Sequence, residues 1–247
     1  MVVGAILSES TMMRNLIRRI PGARQAYHML KSSHSARETA AMVEGYLRQA
    51  GEKKLHLGCG GNILQGWLNS DYFPVRPDIL HLDATKTFPL PADSFDYIFS
   101  EHMIEHISYN DGLVMLRESF RVLKAGGKIR LSTPNIKFLI DLYAEPKSPL
   151  QSDYIAWATE KFIKTTEKSD TLVINNFVRD WGHKFIYDPK TLTSSLEMAG
   201  FTQVESFEIN RSNDTALMDL ENTARMPPGF LQLESFTLEA RKPQRTD

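Results

Sequence analysis

A glycine-rich turn followed by an aspartate is the stretch whose residue types and spacing point most directly to ligand chemistry. In LHLGCGG, Gly58 and Gly60 come directly after a short β-prone run, and Asp71 ends the next such run. Because glycine has no side chain, a ligand can approach the backbone closely there, and the amides of such a turn can hold an anionic group. An acid that ends the neighbouring strand can accept hydrogen bonds from both hydroxyls of a ribose. The pattern predicts a ligand site at this turn.

Histidines form a second pattern that could carry chemistry. His102, Glu105 and His106 spell H-x-x-E-H, the zinc-binding signature of inverted zinc proteases, in which two histidines share one helical face. This run directly follows a predicted buried strand at the ligand-binding edge of a sheet, which is not the context of a protease zinc helix. A zinc hydrolase is therefore kept only as an alternative.

Alternating β-prone runs and amphipathic helices must position these residues. Helices are predicted from the capping box of Ser35 and Glu38, over 111–123, and from the Asp188 cap to Gly200. Besides the strand that ends at Asp71, strands are predicted at 54–57, 78–83, 97–100, 124–133, 201–209 and 231–240. This alternation predicts an α/β fold with a mainly parallel sheet.

The connection between Gly60 and Asp71 is too short for a dinucleotide-binding fold of the usual kind. Such folds place the acid about 20 residues beyond the glycines, with a full helix between them. In addition, Ile63 stands where the G-x-G-x-x-G pattern has its third glycine. Both features argue against a nicotinamide cofactor.

Five sequence motifs occur in this order: LHLGCGG, the acid at Asp71, LDAT around Asp83, FDYIFSEHMIEHI, and LKAGGKIRLSTPN. Together they resemble the class I S-adenosylmethionine (SAM)-dependent methyltransferases. The likeness is greatest to the small-molecule and glycan-associated branch with a GCG, GW, N and D signature. It covers 55–135 closely and 181–242 more loosely. It implies a Rossmann-like, seven-stranded, mostly parallel sheet with helices on both faces, whose last strand lies antiparallel between the fifth and sixth.

The resemblance also implies a cofactor site for SAM, with S-adenosylhomocysteine as the product. Asp83 and Ala84 correspond to the position that reads adenine, since an acid can accept from the adenine amino group and a backbone amide can donate to a ring nitrogen. The predicted cofactor-binding residues are Gly58, Cys59, Gly60, Asp71, Tyr72, Asp83, Ala84 and Ser100. We interpret Cys59 as structural, because nothing basic lies beside it in sequence.

Methyl transfer from a sulfonium needs alignment and exclusion of water more than acid catalysis, because the leaving group needs no proton. For an oxygen acceptor, a base that removes the hydroxyl proton helps, and histidine titrates in the useful range. The predicted catalytic residues are His102, just beyond the fourth strand, and His183, in the run DWGHKFIYD. His106 is predicted to be structural. No metal is predicted, because no carboxylate set for metal-assisted chemistry is evident.

The predicted domain organisation has three parts. An N-terminal helical extension covers 1–51, the methyltransferase domain covers 52–242, and a short tail covers 243–247. Within the domain, the aromatic-rich segment 134–182 interrupts the sheet pattern and is predicted to be a lid over the acceptor, although most of its rings are expected simply to pack the segment against the domain.

The amino-acid composition limits the classes of partner and the cellular location that can be predicted. The net charge of -1 disfavours a nucleic acid held through its phosphates, so a small-molecule or glycan acceptor is predicted. The single cysteine permits no intramolecular disulfide, and no apolar run is long enough to span a membrane, so a cytoplasmic location is predicted. A homodimer and a membrane-surface helix around Met12 to Ile20 are left open. A SAM-binding regulator without catalysis is the main alternative function.

Overall fold

The computed structural model describes residues 35–244. Most of the predicted extension, including the helix around Met12 to Ile20, and residues 245–247 of the predicted tail lie outside this range. The first described helix, α1 (Ala36–Leu47), begins with the predicted capping box: Glu38 N donates to Ser35 Oγ, and Ser35 N donates to Glu38 Oε2 at 2.7 Å.

A seven-stranded sheet with the order β3-β2-β1-β4-β5-β7-β6 forms the centre of the molecule. The first five strands pair in parallel, whereas β7 runs antiparallel to both β5 and β6. Its strands are β1 (Lys54–Leu57), β2 (Leu68–Asp71), β3 (Leu80–His81), β4 (Phe95–Glu101), β5 (Leu123–Pro134), β6 (Thr202–Phe207) and β7 (Ser235–Arg241). The predicted Rossmann-like fold is confirmed, including the position of the antiparallel strand.

Register brings the predicted cofactor residues to one edge of this sheet. Leu57, the last residue of β1, pairs with Ser100 of β4, and Asp71 pairs with His81. The residues that follow β1, β2 and β3 therefore meet at the carboxyl ends of the strands, where ligands bind in open α/β sheets.

Two helices, α2 (Tyr109–Val122) and α6 (Pro189–Met198), pack their apolar sides into the main core. Each begins at a side-chain cap: Ser108 Oγ accepts from Asp111 N, and Asp188 Oδ1 accepts from Thr191 N. The Asp188 cap and the Pro189 start agree with the prediction, and α2 begins two residues earlier than predicted because Ser108 is its cap.

The segment between β5 and α6 is helical and has a core of its own. It contains α3 (Ile136–Tyr143), α4 (Pro149–Ala158), a π-helical turn (Thr159–Ile163) and α5 (Asp170–Arg179). Its core consists of apolar residues from all three α-helices together with Phe230. The aromatic residues Phe138, Tyr154 and Phe177 are buried there, as expected for rings that pack the segment.

Two predicted strands differ from the structure. The third strand covers only Leu80–His81, because Asp83 Oδ1 accepts from Thr85 N and starts a turn. Residues 231–234, predicted as part of the last strand, instead belong to the helix α7 (Phe230–Glu234). Phe230, Leu231 and Glu234 are buried, a spacing that places them on one face of a helix but on both faces of a strand.

The connection between β6 and α7 is anchored to the sheet by a buried ion pair network. Arg130 of β5 is fully buried and donates to Glu221 of the connection and to Glu239 of β7, at 2.8 Å and 2.6 Å. Beside it, Leu217 and Leu220 pack against Trp67 and Phe99. Within residues 35–244, no helix combines the length and the apolar character that crossing a membrane requires.

Candidate active site

The glycine turn after β1 has one tight position and one open position. Gly58 has φ +67°, and a Cβ there would overlap the Met103 side chain. Gly60 has φ +51°, and a Cβ there would meet no atom within 4 Å. Gly58 is thus needed for packing, whereas Gly60 is exposed and leaves free space beside the backbone for a ligand.

Asp71 joins this turn to the end of β2. Its Oδ2 accepts from Gly60 N at 2.8 Å, and its Oδ1 accepts from Phe73 N at 2.7 Å. Each carboxylate oxygen can accept a further hydrogen bond. The half-buried Asp71 is therefore held in a fixed orientation with acceptor capacity remaining.

The other predicted cofactor residues lie on neighbouring strand ends. Leu82 N donates to the Asp71 carbonyl, which places Asp83 and Ala84 beside Asp71. Asp83 Oδ1 accepts from both the amide and the hydroxyl of Thr85. The ring of Tyr72 packs against Phe73, with centroids 4.6 Å apart. The structure thus brings Gly60, Asp71, Tyr72, Asp83 and Ala84 to one edge.

Cys59 and Ser100 are the two buried members of the predicted set. Burial, and then the charge of Asp71, raise the pKa of the Cys59 thiol to about 12, so it is protonated at neutral pH and fits a structural role. Ser100 lies within β4, and its buried hydroxyl has no hydrogen-bond partner. The donors, the acceptors and the open turn together fit an adenosyl ligand.

His102, the first predicted catalytic residue, has an unusual backbone. Its φ is +47°, and its amide donates to the Ser132 carbonyl at 2.8 Å. Its ring Nε2 lies 2.8 Å from Ser235 Oγ, and its Nδ1 lies 3.4 Å from Glu105 Oε1. Burial, followed by the charge of Arg225, lowers its pKa well below the usual value. His102 is therefore neutral, and both of its ring nitrogens face protein groups.

The H-x-x-E-H run is not the helix that the zinc-protease pattern requires. His102 precedes a single 3₁₀ turn, Ile104–His106, so the expectation of two histidines on one helical face is wrong. Instead, Lys184 N and Phe185 N donate to the Glu105 carbonyl at 2.7 Å and 3.2 Å. This pairing places His183 next to His106, with ring centroids 4.9 Å apart.

One cavity of about 340 Å³ contains both predicted catalytic histidines and also His106. Four aromatic side chains from the insertion form much of its wall: Trp157, Phe162, Phe177 and Trp181. The rings contact one another edge to face, with Phe162 and Trp181 centroids 4.9 Å apart. Lys161, Arg225 and Glu234 contribute its charged groups.

Sequence reasoning missed three polar residues near these sites. Glu101, at the end of β4, accepts from Asn222 N and from Asn62 Nδ2, and burial raises its pKa. Arg225 and Glu234 reach the cavity from the connection after β6 and from α7. Neither of the last two lies in a motif, so no sequence signal could have found them.

Residues 55–131 match the family profile described as a methyltransferase domain. Over this range, about a third of its length, the chain is similar to a methyltransferase domain. The matched range runs from β1 through most of β5 and includes every predicted cofactor residue. The match supports an enzyme that uses SAM as its cofactor.

Several solved structures are similar to this chain at low sequence identity. A SAM-dependent methyltransferase from Archaeoglobus fulgidus is 17% identical, with 84% of this chain and 95% of that chain covered and a TM-score of 0.47. One from Thermotoga maritima is 13% identical, with 92% and 99% covered and a TM-score of 0.45.

The phosphoethanolamine N-methyltransferase 2 of Haemonchus contortus, solved with phosphomonomethylethanolamine and S-adenosylhomocysteine, is 14% identical, with 84% of this chain covered and a TM-score of 0.44. The present chain spans only about half of it, 53%. No curated protein matches the sequence.

Proposed function

We propose that this methyltransferase methylates a hydroxyl group of a small molecule, a saccharide or a glycan precursor. The observation that carries the proposal is the cavity, which combines an aromatic wall with three histidines and a few charged groups. His102 in that cavity directly precedes Met103, whose side chain packs on Gly58 of the predicted cofactor turn. The proposed acceptor site and the proposed cofactor site are therefore linked by adjacent residues.

The cavity suits a compact acceptor with an apolar face. Its volume of about 340 Å³ is at the small end of the range of roughly 300 to 1,000 Å³ for ligand pockets. Flat rings such as Phe162 and Trp181 can pack on the C–H face of a sugar or a similar ring. Lys161, Arg225 and Glu234 can form hydrogen bonds with its hydroxyls.

The cofactor would be held by the residues at the carboxyl ends of β1 to β4. Asp71 would accept from ribose hydroxyls, the Gly60 turn would accommodate the amino-acid part, and Asp83 with the amide of Ala84 would contact adenine. Tyr72 would supply a flat surface beside them, and Gly58, Cys59 and Ser100 would shape the pocket by close packing. When bound, SAM supplies an electrophilic methyl group, so this chain needs only to align the acceptor, exclude water and accept a proton.

His183 is placed better than His102 to accept that proton. Its Nδ1 has no hydrogen-bond partner, whereas both ring nitrogens of His102 face protein groups. Burial, and then the neighbouring His106, lower the pKa of His183 to about 4, so its ring is neutral and has a free lone pair at neutral pH. The same low pKa makes it a weak base for a hydroxyl.

Two further features belong to this proposal. The single cysteine, with a buried thiol, is compatible with the reducing cytoplasm, where we place the enzyme. The net charge of -1 fits a small or glycan acceptor better than a nucleic acid. A homodimer stays a prediction.

Methyl transfer from labelled SAM to two matched acceptor panels tests the proposal. One panel carries hydroxyls on sugars, glycosides and phenols, and the other carries amines on similar skeletons. We expect labelled ethers from the first panel. Turnover only with amines would overturn the hydroxyl assignment, and SAM binding without turnover on either panel would favour the non-catalytic regulator.

A variant pair tests whether the cavity binds the acceptor. Phe162 lines the cavity, whereas Tyr143 of the same insertion is 66% exposed and does not line it. Phe162→Ala should raise the KM for the acceptor about tenfold through lost apolar contact, with the KM for SAM unchanged. Tyr143→Ala should leave both constants unchanged. Equal effects of the two substitutions would place the acceptor elsewhere.

A further inference from the structure

Three potential metal ligands lie together at the edge of the cavity. Glu105 and His106 come from the 3₁₀ turn after β4, and His183 comes from the segment after the helical insertion. The Glu105 carboxylate and the two imidazoles each offer an atom within 4.8 Å of the others. The Nε2 of His106 lies 3.9 Å from Glu105 Oε1.

Two of these atoms are buried without a hydrogen-bond partner. Glu105 is fully buried, and its Oε2 accepts from Thr133 Oγ1 at 3.1 Å. Its Oε1 makes no hydrogen bond, although His102 Nδ1 lies 3.4 Å away. The buried Nδ1 of His183 has none either. A buried polar atom without a hydrogen bond destabilises the fold, because it has lost its contact with water. A cation between these atoms would satisfy both at once.

Backbone groups lie beside both imidazoles. The Nδ1 of His106 is the ring atom that faces Gly182, and the Gly182 backbone opposes the lowering of the His106 pKa. The Phe177 backbone opposes the lowering of the His183 pKa in the same way. Metal-binding histidines typically donate from their second ring nitrogen to a backbone carbonyl, and these backbones are candidates for that role.

We propose that Glu105, His106 and His183 bind a divalent first-row transition-metal ion. Two imidazoles and one carboxylate suit Zn²⁺, Co²⁺ or Fe²⁺, whereas Mg²⁺ and Ca²⁺ prefer oxygen ligands throughout. His106 and His183 also line the cavity, so a remaining coordination position would be available to a ligand there. The sequence alone predicts no metal, since no carboxylate set is evident in it and 77 residues separate Glu105 from His183.

The charges around the cluster are compatible with such an ion. Burial lowers the pKa of both histidines, which leaves them neutral and able to ligate. Burial raises the pKa of Glu105 to about 8, so its proton would be released when the ion binds. His102 faces Glu105 from the same loop, while Arg225 and Glu234 approach from the opposite wall of the cavity.

The role of the ion rests on the proposed function. With the ion bound, His183 would be a ligand and no longer the proton acceptor, and a hydroxyl bound to a divalent ion loses its proton far more readily than a free alcohol does. The proton would pass to water, the oxygen would form its bond to the methyl carbon, and the carbon–sulfur bond would break with its electrons on sulfur.

Metal titration of the full chain tests the site without any turnover. Protein stripped with a chelator is titrated with Co²⁺, whose visible absorption reports its coordination, and with Zn²⁺ in competition. We expect one equivalent of Co²⁺ to bind and to be displaced by Zn²⁺. Glu105→Gln, which keeps the shape of the side chain, and His183→Ala should each weaken binding by about 100-fold. His81→Gln, on β3, is the matched control and should bind as the wild type does.

Two outcomes would overturn the site: no stoichiometric binding by the wild-type chain, or binding that survives both Glu105→Gln and His183→Ala in folded protein. A separate SAM titration and the acceptor panels distinguish this failure from failure of the proposed function. Metal binding without hydroxyl methylation would support the metal site and overturn the proposed function. Hydroxyl methylation by chelator-treated enzyme that binds no Co²⁺ would support the proposed function and overturn the metal site.

Discussion

Asp71 is held by the protein and still has room for a ligand. Its two carboxylate oxygens accept from Gly60 N and Phe73 N, and each retains a lone pair. The bond to Gly60 also means that one side chain shapes the glycine turn and would contact the ribose. At this position, stability and binding depend on the same group.

Asp71→Asn should weaken SAM binding at least tenfold. The amide of asparagine keeps one acceptor oxygen, but it loses the negative charge and the second acceptor that serves the ribose or Gly60 N. Hydrogen bonds to a charged acceptor are about twice as strong as hydrogen bonds between neutral groups. Calorimetric titration measures the affinity. Asp78→Asn is the control, since Asp78 is exposed and pairs with Arg76 on the surface. Unchanged SAM affinity in folded Asp71→Asn protein would contradict the assignment.

His102 and His183 both lie in the cavity, but their rings have different contacts. The position of His102 beyond β4 made it a candidate base, and it does lie in the cavity. Yet its contacts with Ser235 and Glu105 occupy the ring, and its positive φ depends on the turn that it opens. His183, named second from sequence, has the free ring atom. Spacing along the chain does not contain this information.

At the scale of elements, the insertion and α7 meet at a buried acid. Tyr154 of α4 donates to Glu234 Oε2, and Arg225 lies 3.9 Å from the other oxygen. Glu234 is nearly fully buried, and burial, only partly offset by the Tyr154 hydrogen bond, raises its pKa to about 7. This contact ties the wall of the cavity to the end of the sheet.

The Glu234 pKa predicts a pH dependence of stability. Because the folded-state pKa is raised above the usual 4.5, the stabilisation is fully present below pH 4.5 and is lost as pH rises toward 7. Relative to Glu234→Gln, the wild-type free energy of unfolding should fall by about 3 kcal/mol across this window. Urea unfolding with chelator present measures it. Glu208 is exposed, so the free energy of unfolding of Glu208→Gln should follow the same pH dependence as that of the wild type. The same pH dependence in Glu234→Gln would contradict the prediction.

Sequence patterns predicted elements where one local signal dominates. The run LHLG correctly predicted β1. The Ser35 and Glu38 pair predicted the start of α1, and Asp188 with Pro189 predicted the start of α6. Local patterns failed where distant packing decides. Residues 231–234 were predicted as strand, but the neighbouring Phe230 packs into the core of the insertion, and these residues form a helix with it. The cavity depends on the same packing and could not be predicted.

At the scale of the whole molecule, Arg130 connects three parts of the chain. It pairs with Glu221 and Glu239 and also donates to the carbonyls of Glu208 and Arg211. These bonds hold the connection after β6 against β5 and β7. The same connection continues to Arg225, which lines the cavity, and to α7. The segment that Arg130 anchors therefore also contributes to the cavity.

Arg130→Met should destabilise the fold by about 3 to 5 kcal/mol, because two buried carboxylates would lose their partner. Lys128→Met is the matched control on the same strand. Its pair with Asp214 is partly exposed, so its loss should cost no more than about 1 kcal/mol. Urea unfolding compares the two free energies. A loss below 1 kcal/mol for Arg130→Met would show that the network does not anchor the connection.

The edge of the sheet formed by the ends of β1 to β4 is the proposed SAM site. The most direct measurement is a calorimetric titration of the full chain with SAM and with S-adenosylhomocysteine, beside a control with NAD. We predict saturable binding of both adenosyl ligands at one site per chain and no binding of NAD. Absence of saturable binding by either adenosyl ligand, or equal binding of NAD, would contradict the account.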